Sequence, residues 1–515
     1  MARVQLYYPY NMFDLGFFYG DITKYNASEI WVEEGGAKSI YSGSFTYPDD
    51  WVAGTMTGYK FLISDNLQFQ VTGANADAGR VADLIVDGDM AALMELVLRG
   101  NDVLEGSSGN DGLMGFAGND TLLGHNGSDV LSGGAGNDQI FGGNGDDGIL
   151  AEAGNDVYNG GAGVDLLAFG NKAARVNLAY LGGQQTGYGI DRIANIEDVL
   201  GGSGDDVFRG NGAANHLRGA GGIDRLFGLA GNDTLDGGAG TGYLFGGDGN
   251  DRVIGGWGSD RLYGDAGNDT LQGDGGNDVL VGGAGADVMD GGTGIDMVSF
   301  HGESAVSVDL SAGVAWVGGV RDTLSSIEKV QGTDGNDRMI AGAGITLLIG
   351  GRGDDVLLRG YNTRMVGGEG NDRLEGSGGD ERLEGGAGND TLLGGMRNDI
   401  LFGGDGHDTL RGDTGNDRLL GGGGNDFLEG GQSNDLLAGG AGADRFAFGR
   451  LDGFDRISDF EDGVDRIEFS SGAESFADLT IRQVGSETRI AYGADQVTLI
   501  NFDANDLSAA DFIFT

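Results

Sequence analysis

The sequence predicts an all-β fold made by stacking short repeats, and three observations predict it. A nine-residue unit recurs from Gly100 onward with an aspartate at a fixed place in it. Glycine supplies 108 of the 515 residues and proline only 2, so the glycines serve tight turns at fixed offsets rather than a collagen-like helix. A large apolar residue follows the aspartate by two positions nearly everywhere, as at Leu104, Leu113, Leu122, Leu131 and Ile140. In a strand that residue points opposite to its neighbours, so the row becomes a narrow core that only stacking makes continuous.

The repeat holds its phase over a long distance. GSSGNDGLM, GFAGNDTLL, GHNGSDVLS, GGAGNDQIF and GGNGDDGIL follow one another without a gap from Gly106 to Leu150. The phased aspartates of the first block are Asp102, Asp111, Asp120, Asp129, Asp138, Asp147, Asp156 and Asp165. A second block has Asp206, Asp224, Asp233, Asp251, Asp260, Asp269, Asp278, Asp287 and Asp296, with Asn215 and Gly242 in aspartate slots. The third has Asp337, Asp355, Asp372, Asp390, Asp399, Asp408, Asp417, Asp426, Asp435 and Asp444. Thr346, Arg364 and Glu381 read as its substituted slots, the Arg364 unit being one residue short, and its core row runs through Leu392, Leu401, Leu410, Leu419 and Leu428.

Charge narrows the function. With 80 acidic and 31 basic residues the formal net charge is −49, which excludes the basic footprint that nucleic acid requires. Hydrophobic residues make up 39%, too many for simple disorder, so cations are expected to neutralise a folded acidic chain. A hard cation such as Ca²⁺ takes six to eight oxygen ligands from carboxylates and carbonyls, and glycine-rich turns can aim carbonyls into one cavity. Were alternate units to stack, aspartates 18 residues apart would lie on strands about 4.8 Å apart. Even in water-like dielectric each stacked pair repels by roughly 0.5 kcal/mol, and about twenty pairs cost on the order of 10 kcal/mol. That rivals the roughly 5–15 kcal/mol that stabilises a domain. The metal-free chain is therefore expected to be unfolded or molten, and about twenty Ca²⁺ would cancel about forty negative charges.

These units resemble the GGxGxDxUx nonapeptide of the RTX (repeats-in-toxin, hemolysin-type) calcium-binding proteins, where U is a large apolar residue. The likeness covers about two-thirds of the chain. It implies a parallel β-roll solenoid in which six residues of each unit turn around calcium and three form a short strand. Two units make one coil, and the twenty-seven phased aspartates become the metal ligands.

Two stretches break the phase and are alike. Val176–Gly201 aligns with Val308–Gly332, so that Asp191, Ile193, Ile196, Glu197 and Val199 match Asp322, Leu324, Ile327, Glu328 and Val330. Both resemble the inter-repeat hairpin of RTX proteases. Their paired acids admit a catalytic reading, but packing and turn chemistry is the plainer one. After Asp444 the pattern changes to alternating strands and a terminal LSAADFIFT. This resembles the RTX C-terminal flank that carries an uncleaved type I secretion signal, with Asp511-Phe512-Ile513-Phe514 its most characteristic piece. MARVQLYYPYNMF lacks the apolar core of a Sec signal, and no 18-residue apolar run offers a membrane span.

Residues 1–99 differ again. They hold 16 of the 43 aromatics, and runs such as SGSFTY and GTMTGYKFLI read as antiparallel strands, followed by an amphipathic helix at Asp89–Leu98. An end cap over the open coil is one reading of this part, and an assembly or adhesion module is the other. The domain boundaries follow: 1–99 an N-terminal β-rich cap or assembly domain, 100–169 a first roll, 170–200 a connector, 201–299 a second roll, 300–331 a connector, 332–447 a third roll, and 448–515 a C-terminal β-rich cap with the secretion signal.

No catalytic residue is expected. The four histidines, His125, His216, His301 and His407, are isolated, no HExxH or GxSxG occurs, and cysteine is absent. The expected function is a secreted, extracellular calcium-binding structural protein that folds into a rigid rod. It would serve a surface layer, filament or adhesive biofilm matrix. Its partners would be copies of itself, cell-surface polysaccharide or protein, and the type I secretion apparatus. A secreted hydrolase or toxin-associated protein whose rolls serve export and folding is the alternative.

Overall fold

A computed structural model of the chain describes residues 3–6, 21–26, 29–34, 37–46, 53–63, 66–77, 100–106 and 108–515. The helix expected at Asp89–Leu98 lies outside the described residues. The chain forms two compact units, residues 1–258 and 259–515. Among the described residues the secondary structure is β-strand with two short 3₁₀ turns.

The first unit begins with an antiparallel meander in which Asp21–Asn26, Glu29–Glu34, Ala37–Thr46, Ala53–Ile63 and Asn66–Asp77 pair in succession. Arg3–Leu6 joins this meander to the repeats. It pairs antiparallel with Asn66–Asp77 on one side and parallel with Val103–Glu105 on the other. From there all rungs of the repeats are parallel with an 18-residue register. Leu122, Ile140 and Tyr158 align in one column, and Leu113, Leu131, Ile149 and Leu167 in the other. Two nine-residue units thus make one coil, and every member of both columns is at most 1% exposed.

The same rule holds in the second unit, except at the short repeat, where Leu348 pairs with Met365 and Leu357 with Leu374, 17 residues on. Leu374, Leu392, Leu410, Leu428 and Phe446 form one column, and Leu383, Leu401, Leu419 and Leu437 the other. Each buried leucine contributes roughly 1.5–3 kcal/mol, and the parallel ladder gives it neighbours above and below. Alternation of buried and half-exposed positions along strands such as Thr391–Met396 follows from the period of two.

The connectors enter these ladders. Ile190–Ala194 lies parallel to Val157–Ala162, and Asp198–Leu200 lies between Leu166–Ala168 and His216–Arg218. Val320–Ser325 and Lys329–Gln331 do the same in the second connector, with Val314–Val317 folded antiparallel against Val320–Ser325. At the C-terminus a hairpin of Glu487–Tyr492 and Asp495–Leu499 continues from Phe454–Ile457, and Phe512–Phe514 adds a last parallel strand to Arg466–Phe469. Phe469 is the hub of the closing aromatic cluster, 4.6 Å from the Tyr492 ring and stacked on Phe512 at 6.2 Å.

One slot differs from the sequence reading. Arg364 is exposed and ion-paired with Glu384, while Thr363 is 1% exposed and holds the aspartate position. Its hydroxyl donates to the Ile345 carbonyl at 2.9 Å. The buried residue of this short unit is Met365, two positions after Thr363, so the core residue sets the phase and the missing residue is lost from the turn before it.

Candidate metal centre

A complete turn is shaped by three glycines with different reasons. In the unit Gly403–Arg411, Gly404 and Gly406 have φ of 117° and 140°, and a Cβ on either would overlap the carbonyl oxygen of Gly386 or Gly388 in the coil before. Gly403 has ordinary φ. A Cβ there would overlap the Asp408 Oδ2 and stand 2.5 Å from the Gly421 carbonyl oxygen. Only glycine leaves a carboxylate oxygen and a carbonyl oxygen sharing that small space.

All twenty-seven phased aspartates are buried, none more than 3% exposed. Along the columns one carboxylate oxygen ties successive coils together. In the first unit Asp120 Oδ1 accepts the Asp102 backbone N–H at 2.7 Å, and Asp138 Oδ1 accepts that of Asp120 at 2.7 Å. In the second unit Asp372, Asp390, Asp408 and Asp426 each accept the N–H of the aspartate one coil earlier at 2.8 Å. The other oxygen is fully buried with no hydrogen-bond partner at Asp120, Asp129, Asp147, Asp165 and Asp233. The same is true of Asp278, Asp287, Asp296, Asp355, Asp372, Asp390, Asp399, Asp408, Asp417, Asp426, Asp435 and Asp444. Buried polar atoms are nearly always satisfied, and an unpaired buried carboxylate oxygen is among the costliest groups to leave bare.

The carboxylates respond as that environment requires. Asp355 is pushed up to about 8, and Asp120, Asp278, Asp390 and Asp435 to about 7. Burial is the leading cause at each, backbone N–H groups oppose it, and the charges of stacked neighbours add to it. Repulsion between stacked aspartates, the sequence-based reason for needing a cation, is thus secondary to loss of water.

The structure also enlists acids that the sequence phase did not include. Asp191 and Asp322 accept the N–H of Asp156 and Asp287 at 2.8 and 2.9 Å, and Glu197 and Glu328 accept those of Asp165 and Asp296 at 3.0 and 2.8 Å. Asp455 and Asp465 continue the columns past Asp435 and Asp444, both at 2.9 Å. The connector acids are therefore rungs. Every one of these six is followed two residues later by a buried apolar residue, Ile193, Val199, Leu324, Val330, Ile457 or Ile467. That offset is the signal that finds them.

These oxygens fit a hard cation. No three described Asp, Glu or His side chains converge tightly enough to hold a metal by themselves, so main-chain carbonyls would have to complete a six- to eight-oxygen set. The bare Oδ2 beside a glycine carbonyl supplies that mixture. His407 Nδ1 accepts the Asn425 N–H at 2.8 Å, a turn-to-turn bond.

Comparison with known proteins agrees. A profile of the RTX calcium-binding nonapeptide repeat matches residues 98–131, 114–149, 132–167, 195–226, 209–244, 236–271, 263–298, 331–360, 359–392, 393–428 and 420–454. No curated protein matches the chain. Among solved structures, the AlgE6R3 subunit of the Azotobacter vinelandii mannuronan C5-epimerase is 31% identical over 23% of this chain and 78% of that one, with a TM-score of 0.20. The extracellular lipase LipA of Serratia marcescens is 12% identical over 95% of this chain and 82% of that one, with a TM-score of 0.19. With the nonapeptide profile on more than half of its residues and a parallel β-solenoid beneath it, the chain belongs to the RTX calcium-binding nonapeptide repeat family.

Proposed function

We propose that this chain is a secreted, non-enzymatic structural protein whose repeats fold when calcium enters the turns outside the cell. The observation that supports this most is the columns of buried aspartates, in most of which one oxygen is bonded to the neighbouring coil and, as at Asp147, Asp390 and Asp408, the other is left bare beside a glycine carbonyl. The phased aspartates hold the cation through that bare oxygen, and turn carbonyls complete its shell. Bound calcium supplies the positive charge that offsets carboxylate desolvation. The chain's own contribution is to fix the turns through left-handed glycines, exclude water with the leucine columns, and register each coil through the Oδ1 bonds.

In a cytosol poor in calcium the repeats stay unfolded and can be threaded through a type I apparatus. In millimolar external calcium they fold and oppose return. Copies then associate with one another or with surface polysaccharide or protein as part of a surface layer, filament or adhesive matrix. No helix among the described residues is long and apolar enough to cross a membrane. The test is a calcium titration of chelated protein, followed by circular dichroism and electron microscopy. A cooperative β-type signal and ordered polymers that vanish on chelation are expected. Spectra that are identical with and without calcium would remove the basis of the proposal.

A further inference from the structure

The bare oxygen is not universal. Asp156 Oδ2 accepts the Tyr158 hydroxyl at 2.8 Å, and that same hydroxyl accepts the Glu152 N–H at 3.2 Å. Asp206 Oδ2 accepts the Gly202 N–H at 3.2 Å, Asp337 Oδ2 the Thr333 N–H at 2.6 Å, and Asp465 Oδ2 the Glu461 N–H at 2.8 Å. All four aspartates are as buried as the rest of the column.

Backbone geometry separates these four from the bare aspartates independently; Asp191 is a further case, its Oδ2 accepting the Thr186 hydroxyl although Gly187 keeps a positive φ of 98°. Before each aspartate named above with a bare Oδ2, the residue four positions earlier lies in the left-handed region, with φ of 68° at Phe116 before Asp120, 117° at Gly143 before Asp147 and 71° at Asp413 before Asp417. Before Asp156, Asp206, Asp337 and Asp465 the same place is taken by Glu152, Gly202, Thr333 and Glu461, none of which has positive φ. At three of these four, that residue's own N–H is the group that closes on Oδ2. Around Asp156 the sequence changes in step. Ala151-Glu152 replaces the glycine pair of the preceding unit, Gly142-Gly143, and Tyr158 replaces the aliphatic core residue.

We infer that Asp156, Asp206, Asp337 and Asp465 are closed rungs that take no cation, each carboxylate being held by a donor of the chain itself, while the open rungs carry the calcium. A donor hydrogen already points into the space a cation would occupy. Displacing it would leave a buried hydroxyl or N–H without a partner. The closed rungs sit where the repeat is interrupted: Asp156 and Asp206 flank the first connector, Asp337 follows the second, and Asp465 lies beyond the last repeat. Metal-independent seams thus lie at interruptions of the metal-dependent coils. The inference rests on the calcium reading above and narrows its ligand set.

Native mass spectrometry of the full chain in saturating calcium counts the ions directly. Asp147→Asn, at an open rung, should lose at least one ion, whereas Asp156→Asn should lose none. Restoring the repeat with Ala151→Gly, Glu152→Gly and Tyr158→Leu together should add one, with circular dichroism confirming that each variant folds. A chain that loads calcium but loses as much on Asp156→Asn as on Asp147→Asn overturns this inference alone. An unchanged count in the folded triple variant overturns it as well. A wild-type chain that retains no calcium defeats the calcium reading itself.

Discussion

Removing calcium makes this fold sensitive to pH in a direction opposite to ordinary alkaline stabilisation of acidic proteins. In the folded chain Asp120, Asp278, Asp390 and Asp435 are raised to about 7, and Asp355 and Asp455 to about 8, from an ordinary 3.8. A metal-free folded chain therefore keeps protons that the unfolded chain has already released. The stability they confer is fully present below 3.8 and is lost as pH rises through about 7 to about 8. Each such group changes stability by about 1.4 kcal/mol per pH unit, so six of them give about 8 kcal/mol between about pH 5 and about pH 6. Protonating one rung relieves its neighbours and lowers that figure. Even a third of it, about 3 kcal/mol, is a large part of the roughly 5–15 kcal/mol of a typical domain. Far-UV circular dichroism of chelated protein should show more β-structure at about pH 5 than at about pH 8, with calcium restoring it at the higher pH. Repeating the scan in about 0.5 M NaCl, where the screening length is roughly 4 Å, separates the causes. Salt weakens repulsion between distant charges but leaves desolvation in place, so the pH dependence should persist. Metal-free protein that is equally folded at both pH values, or better folded at the higher one, would refute the reasoning.

Three further outcomes follow from named residues. Gly406→Ala should destabilise the calcium-loaded chain by at least about 2 kcal/mol, because φ is 140° and the Cβ overlaps the Gly388 carbonyl, while Gly423→Ala should be nearly neutral, its nearest neighbour being Asp405 Oδ1 at 3.5 Å; paired thermal melts compare them. Leu410→Ala, in the middle of a fully buried column, should cost about 2–5 kcal/mol in denaturant unfolding with calcium present. Thr363→Asp places another carboxylate in a buried slot and should raise the calcium concentration needed for folding, whereas Arg364→Asp removes an exposed ion pair worth at most about 1 kcal/mol and should leave the calcium midpoint where it was.

The core row was legible in the sequence because one offset repeats, and the parallel stacking because the repeat resembles the RTX nonapeptide. Leu392, Leu401, Leu410, Leu419 and Leu428 recur every nine residues, and the 18-residue register follows from two units per coil. Asp191, Glu197, Asp455 and Asp465 were not legible as rungs. Their partners lie 35, 32, 20 and 21 residues away, so inserted loops break the count while the column continues. Arg364 was misplaced for the same reason: counting nine from Asp355 ignores the apolar residue that fixes the phase. The division into open and closed rungs was hidden further still. It depends on the φ of one turn residue and on a tyrosine that reads, from its position alone, as core.

The claim on which the account depends is that calcium sits against the bare Oδ2 atoms. A crystal of the full chain grown in calcium, recorded at a wavelength where calcium scatters anomalously, tests it. The account predicts anomalous peaks within about 2.6 Å of Oδ2 at rungs such as Asp147, Asp390 and Asp408, with carbonyl oxygens completing each shell. Cradles that hold only water, in a chain folded as described, would contradict it.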